Sequence, residues 1–459
     1  MTSVLNRLPR WSREQPGTRP VSAPYVWSVT ATYTTSGFRV RDRSVRVPVD
    51  WSDPARFGEI EVFARELVDP ARDGEDLPLL LFLQGGPGGM GPRPGAGGWW
   101  TTALETHRVV LLDQRGTGRS SPVDEAVVRS FGDDVALAAD YVSCFRADAI
   151  VRDAEHLRNT VYGGRPWTTL GQSYGGFITL TYLSLHPEGL TSCLTTGGLP
   201  PVHASAEDVY ARTYPRQVAR NASFARDFPE DVATLGRLAD AASSGTVTLP
   251  DGDRLTVERL QVLGQPFGMS DGAPGLHWLL DTAWASDGAP SDGFLAAVGS
   301  RTGFAGNPLY MLLQECIYHQ GERAGGWAAA EEHARWSAFG VGERPLMLTG
   351  EATYPWMFEQ LRALRPFREV AEALAAQTSW PELYDLDRLG ANEVPLASIQ
   401  YVDDPYVDLV LATDTAASVG AATVWATNEY LHDGLRADGA RIVPKLLDIA
   451  AGRWAPPGV

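Results

Sequence analysis

Residues 167–189 read WTTLGQSYGGFITLTYLSLHPEG. The run up to Gln172 is short and mostly apolar, the pattern of a strand buried on both faces of a sheet. From Tyr174 apolar residues continue at helical spacing until Pro187 and Gly189 stop them. At the junction stands Gly171-Gln172-Ser173-Tyr174-Gly175, a G-x-S-x-G. Such a strand-to-helix turn holds its serine in a strained conformation with the hydroxyl clear of the sheet's C-terminal edge, and the flanking small residues let strand and helix approach. The pattern alone recurs by chance in a chain with 47 Gly. The strand before it and the helix after it give it weight over a Gly-rich turn carrying a structural serine.

The neighbouring segments repeat this alternation. LPLLLFLQ (Leu77–Gln84), RVVLLD (Arg108–Asp113) and SCLTTGG (Ser192–Gly198) read as further buried strands, and DAIVRDAEHLRNTVYG has helical spacing. Buried strands alternating with helices indicate an α/β fold with a mostly parallel sheet. Upstream, YVWSVTATYTT, FRVRDRSVRVPVDW and EIEVFARELV alternate apolar and polar residues, as antiparallel strands with one wet face do. Residues 201–340 lack a buried strand pattern and read as a mainly helical insertion, a cap or lid. Strand character is expected to return at RPLMLTGE (Arg344–Glu351), VPLASIQYVDD (Val394–Asp404) and AATVWATNE (Ala421–Glu429), followed by a final helix. The expected organisation is therefore a loose arm over 1–24, a core over 25–200, the cap over 201–340, and the rest of the core over 341–459.

The 459 residues carry 39 Lys+Arg against 56 Asp+Glu, a net charge of −17, which makes a poor footprint for nucleic acid or an anionic membrane. Cys144, Cys193 and Cys316 are odd in number and widely spaced, so a disulfide framework is not expected and a reducing, cytoplasmic setting is. The N-terminus has no secretory h-region, and no apolar run is long enough to span a membrane. No metal-binding spacing and no P-loop occurs, so neither metal nor cofactor is expected.

A serine nucleophile needs a base and an acid to orient it, in the chain order Ser, Asp/Glu, His on this architecture. His432 is the only histidine of the last hundred residues and follows a strand-like run. Asp403 and Asp404 end the run before it, so the order Ser173, Asp404, His432 fits, with one of the two aspartates left to a turn. Gln84-Gly85-Gly86-Pro87-Gly88-Gly89 follows the first buried strand and offers a backbone N–H at Gly86 as an oxyanion donor, with the N–H of Tyr174 as its partner. Gly86–Gly91 also spells G-x-G-x-x-G with Asp113 at the next strand end, a dinucleotide-like pattern. GPRPGAGG, which follows, is unfit to open the helix that a pyrophosphate would need.

LLLFLQGGPGG, VVLLDQRGTGRSSP, LGQSYGGFITLTYLSLHPEGL and LTTGGLPP, with YVDDPYVD and VWATNEYLHDGLRADG, resemble the long form of the proline iminopeptidases. These are serine peptidases of the α/β-hydrolase fold. The resemblance spans roughly residues 25–459. It departs at Gln84, where many members have histidine, which bears on the positioning of the loop. The resemblance implies Ser173 as nucleophile, His432 as base and an acid in the YVDD stretch. It favours Asp404, which stands just before the short turn at Pro405, while leaving Asp403 open. It implies a cap over the site and carboxylates that bind the substrate's free α-amino group. Glu315 and Glu351 are the candidates, since each stands among apolar or aromatic residues where an unpaired carboxylate is costly. Tyr318, Trp356 and Phe358 are candidates for an apolar slot. The implied activity is release of an N-terminal residue, preferably proline, from short peptides with a free N-terminus. An esterase or amidase of small metabolites and a non-catalytic binding protein on the same scaffold are the alternatives.

Overall fold

The computed structural model describes residues 31–322 and 325–454. The expected arm over 1–24 lies outside them. Among the described residues the strands are β1 (Thr32–Thr35), β2 (Phe38–Pro48), β3 (Glu59–Val68), β4 (Leu79–Leu83), β5 (Arg108–Asp113), β6 (Trp167–Gln172), β7 (Leu190–Thr196), β8 (Gly321–Glu322), β9 (Ser379–Trp380), β10 (Leu396–Tyr401) and β11 (Ala422–Thr427). One nine-stranded sheet runs β1-β2-β3-β5-β4-β6-β7-β10-β11, while β8 and β9 pair separately in the stretch between β7 and β10. In this sheet β1–β2, β2–β3 and β3–β5 pair antiparallel, and the pairings β5–β4, β4–β6, β6–β7, β7–β10 and β10–β11 are parallel.

The two-residue period of each strand sorts its side chains onto the two faces. Leu79, Leu81 and Leu83 of β4 and Val110 and Leu112 of β5 enter one core, beneath helices Ala147–Val161 and Tyr174–Leu185. Leu80, Phe82, Val109 and Leu111 enter the other, against Trp99 and the final helix Gly434–Ala450 through Leu435, Ile442, Val443 and Leu446. A sheet covered on both faces explains why these strands are apolar throughout.

Beyond β7 the chain leaves the sheet. Helix Ala206–Asp227 starts at a reciprocal capping box: Asp208 N–H donates to the Ser205 hydroxyl at 3.2 Å, and Ser205 N–H to the Asp208 carboxylate at 2.9 Å. It and the following helices build a separate apolar centre around Phe224, Leu238, Leu260, Phe267, Leu280 and Phe294. The chain rejoins the sheet only at Leu396.

The strand expected at Arg344–Glu351 does not form. Leu346 and Leu348 belong to the cap's apolar centre, and much of this stretch's backbone bonds to side chains, while Thr349 N–H donates to the Gln261 carbonyl. Leu348 N–H donates to Asn221 Oδ1 at 2.8 Å, and its carbonyl accepts from Asn221 and Gln217 at 2.8 and 3.0 Å. The apolar run reflects burial in the cap, and apolar content alone does not distinguish that from a sheet strand.

Candidate active site

Parallel registry sets the stage. Leu83 pairs with Gly171, Gln172 with Thr196, and Thr196 with Ile399, so β4, β6, β7 and β10 end at one level. The loops that follow them converge outside the carboxyl ends of the strands, where open α/β sheets place their sites.

Ser173 sits at φ 56°, ψ −126°, between β6 and helix Tyr174–Leu185. A non-glycine residue at positive φ costs about 1–3 kcal/mol and persists only where its surroundings impose it. Here Ser173 N–H donates to Thr196 O at 3.0 Å and Gly176 N–H to Ser173 O at 2.7 Å. A β-carbon on Gly175 would collide with the Leu83 carbonyl, so this turn closes only around glycine. The Tyr174 N–H opens the helix, where amide donors have no intrahelical partner. Against this turn lies the loop after β4: a β-carbon on Gly85 would fall 3.0 Å from Ser173 Cβ, and Gly86 stands at φ 139°. The Gln114 side chain donates to the Gln84 carbonyl at 2.6 Å and pins the loop's start.

His432 is 3% exposed and its Nδ1 lies 2.6 Å from Asp404 Oδ2. Asp404 is fully buried, and its other oxygen accepts from the N–H groups of Tyr406 and Val407 at 2.8 and 3.1 Å. Asp403 is exposed, and its carbonyl accepts from Arg220. Burial opposes protonation of His432, but Asp404, with Glu351 and Asp433 behind it, outweighs this and raises its pKa above the ordinary histidine value. A side chain on Gly197 would meet His432 Nδ1 at 3.2 Å, and Gly197 follows directly on Thr196, whose carbonyl holds Ser173. The loop after β7 therefore touches both serine and histidine.

Glu351 accepts a hydrogen bond from the Tyr310 hydroxyl and another from Gln314, and lies in the field of His432 and Asp404. Burial raises its pKa above the usual carboxylate range. Glu315 is 7% exposed, and its two oxygens accept the N–H groups of Ala328 and Ala329 at 2.8 and 2.9 Å, capping helix Ala328–Arg335. Burial pushes its pKa up to about 7 against those two bonds. Burial, with the charge of both glutamates adding to it, raises the phenols of Tyr210 and Tyr318 above their ordinary pKa.

The alpha/beta hydrolase fold family matches residues 78–237. Over 417 residues, covering 90% of this chain and 97% of the relative, the sequence is 41% identical to a proline iminopeptidase of Aeromonas sobria. The chain belongs to the proline iminopeptidase family. It is also 33% identical over 428 residues, covering 90% of this chain and 94% of the relative, to the proline iminopeptidase aneH of Aspergillus aculeatus.

Other positions divide along the same lines in this proline iminopeptidase family member. Asp113, the acid of the dinucleotide-like pattern, is held by Arg93 at 2.7 and 3.0 Å and by Arg119 N–H at 3.0 Å. Helix Trp99–Ala103 after the Gly loop spans only five residues. In the DQRG block, Arg115 forms a fully buried bidentate pair with Asp153 at 2.6 and 2.7 Å and also donates to the carbonyls of Val49 and Cys144, so this arginine ties the core together. Of the three aromatics, Tyr318 packs edge-on against Phe177 of the serine's own helix at 6.0 Å. Phe358 is core, 1% exposed, and Trp356 stacks on Tyr354 at the wall of a cap cavity of about 250 Å³. Sequence reasoning did not single out Tyr310, which holds Glu351, or Tyr406, whose ring meets His432 at 4.9 Å and 89°. Tyr310 carries no local signal, because its role comes from a contact across 41 positions. Tyr406 had one: it directly follows the Asp404-Pro405 turn.

No helix among the described residues is long and apolar enough to cross a membrane.

Proposed function

We propose that this protein is a serine aminopeptidase that removes the N-terminal residue, preferably proline, from short peptides through an acyl-enzyme on Ser173. The observation that carries the reading is the buried His432–Asp404 pair at 2.6 Å, on loops that converge on a serine at positive φ. His432 takes the proton from the Ser173 hydroxyl as the serine attacks the carbonyl of the first residue. The Asp404 carboxylate fixes the ring so that Nδ1 carries a proton and Nε2 is free to accept one, and it stabilises the imidazolium that forms. The amides of Gly86 and Tyr174 receive the developing oxyanion. His432 then protonates the departing amine. Water enters with the histidine again as base, and the free amino acid leaves.

Exopeptidase action needs a fixed distance from the amino terminus. Glu351 supplies it: a half-buried carboxylate, bonded to neutral donors and in the field of His432, stabilises an ammonium group one residue back from the scissile bond. Glu315 is the second candidate for the amine, though its two oxygens already cap helix Ala328–Arg335. The cap covers the site and restricts it to short chains. The free thiols of Cys144, Cys193 and Cys316 accord with a cytoplasmic setting.

Chromogenic anilides test the proposal. Free Pro-anilide is cleaved, N-acetyl-Pro-anilide is not, and Ser173→Ala loses activity by on the order of 10⁵-fold. Turnover of simple esters with none of any anilide would replace the peptidase reading with the esterase one.

A further inference from the structure

His432 is gripped from the cap side as well as by Asp404. Its backbone N–H donates to the carbonyl of Gly268 at 2.9 Å. Gly268 closes the cap turn Val262–Gly268, and its own N–H donates to the Tyr406 hydroxyl at 2.9 Å. That hydroxyl in turn donates to the carbonyl of Gln265 in the same turn. The ring below the hydroxyl stands edge to face against the His432 imidazole at 4.9 Å, and the backbone N–H of Tyr406 binds Asp404 Oδ1 at 2.8 Å. The contacts close a loop: Asp404, Tyr406, the cap turn, His432, and back to Asp404. Space within it is tight, since a β-carbon on Gly268 would run into the Tyr406 ring. Just beyond, Ser270 Oγ donates to Asp433 at 2.7 Å and Arg436 binds Asp271 at 2.7 and 3.0 Å, so the strap continues past the turn.

We propose that Tyr406, held by the cap turn Gln265–Gly268, is a positioning residue that fixes the His432 ring for proton transfer. The proposal rests on the triad reading above. Asp404 holds one atom of the imidazole; the Tyr406 ring packs against it from a second side, and the Gly268 carbonyl fixes the backbone that carries it. The arrangement makes the base depend on a docked cap. The same turn also reaches the amine anchor, because the Gln265 side chain donates to Tyr310 at 2.9 Å and Tyr310 binds Glu351.

Tyr406→Phe removes the hydroxyl and keeps the ring. The charged and titratable groups around His432 are Asp404, Glu351 and Asp433, with the phenols of Tyr406 and, across Gly197, Tyr401. Burial pushes the Tyr406 phenol well above its ordinary pKa, so it is neutral and its loss changes no charge. A moved pH limb therefore reports position.

The experiment measures kcat and KM on free Pro-anilide for the wild type, Tyr406→Phe and Gly268→Ala across pH, with kcat expressed per site titrated by a fluorophosphonate so that unfolded molecules do not count. Both variants are expected to lose about tenfold or more in kcat with KM within about twofold. The acid limb of kcat/KM should move to lower pH, because a loosened Asp404 contact no longer holds the imidazolium as firmly. Unchanged kcat per titrated site and an unmoved limb, even with a lowered Tm, would overturn the positioning role. Retained activity in Ser173→Ala would be a separate failure, of the triad itself.

Discussion

The serine turn and the Glu351 segment are held in different ways. Ser173 leaves a strand whose neighbours on both sides are paired along their length, and Asp404 and the Gly197 loop leave the next strands of the same ladder. Glu351 ends a stretch without secondary structure of its own, hung from Asn221, Gln217 and Gln261 of the cap and steadied by Tyr310. The first kind of position is fixed by backbone geometry, closed around glycines that leave no room for a side chain. The second depends on a few side-chain contacts between helices, and each contact is open to separate loss. Ser173 and Asp404 therefore stand at strand ends, His432 is gripped in addition by the turn Val262–Gly268, and Glu351 hangs on side-chain contacts alone.

The sharpest way to break this division is at the paired aspartates. Asp404→Asn should lower kcat by about 10⁴-fold, since the wrong histidine tautomer is then favoured, whereas Asp403→Asn should stay within about twofold. Comparable losses in the two, read by kcat on Pro-anilide, would dissolve the assignment.

A smaller effect is expected on the cap side. Glu351→Gln leaves the amine without its counter-charge, worth about 2 kcal/mol or roughly 30-fold in KM for free Pro-anilide, with ester hydrolysis largely spared. The pH profile adds a signed test. His432 must be neutral to accept the serine proton, and its pKa is raised, so kcat/KM falls as pH drops through a point above the ordinary histidine value. Glu351 contributes to that rise, so Glu351→Gln should shift the acid limb downward. An upward shift contradicts the placement of the two groups.

The smallest expected change probes how the cap segment hangs. Asn221→Ala leaves the Leu348 N–H without its partner, a loss of about 1 kcal/mol or more. It should raise KM on Pro-anilide more than it lowers kcat. A pure kcat effect would mean that the segment serves the sheet's chemistry after all.

The same contrast governs what the sequence discloses. Buried strands announce themselves as apolar runs, and Ser173, just past one of them, stands where chemistry is expected on this fold, while His432 follows the edge strand β11. Asp403 and Asp404 are not separable by pattern, because the distinction lies in which side chain turns inward at Pro405. RPLMLTGE carries the apolar content of a strand and none of its pairing, which depends on Asn221, more than a hundred positions away. Glu315 stands in apolar surroundings for a local reason as well, the uncapped amides of Ala328 and Ala329. Tyr310 and Gln265 reach the site only through the packing of the cap, which no single-segment periodicity encodes.

The most direct test of the account is site-specific labelling. Intact-mass and peptide mapping after a fluorophosphonate pulse should find one adduct, on Ser173, formed far more slowly in His432→Ala and blocked by excess free prolinamide but not by N-acetylprolinamide. An adduct on another residue, or blockage by both amides alike, would contradict it.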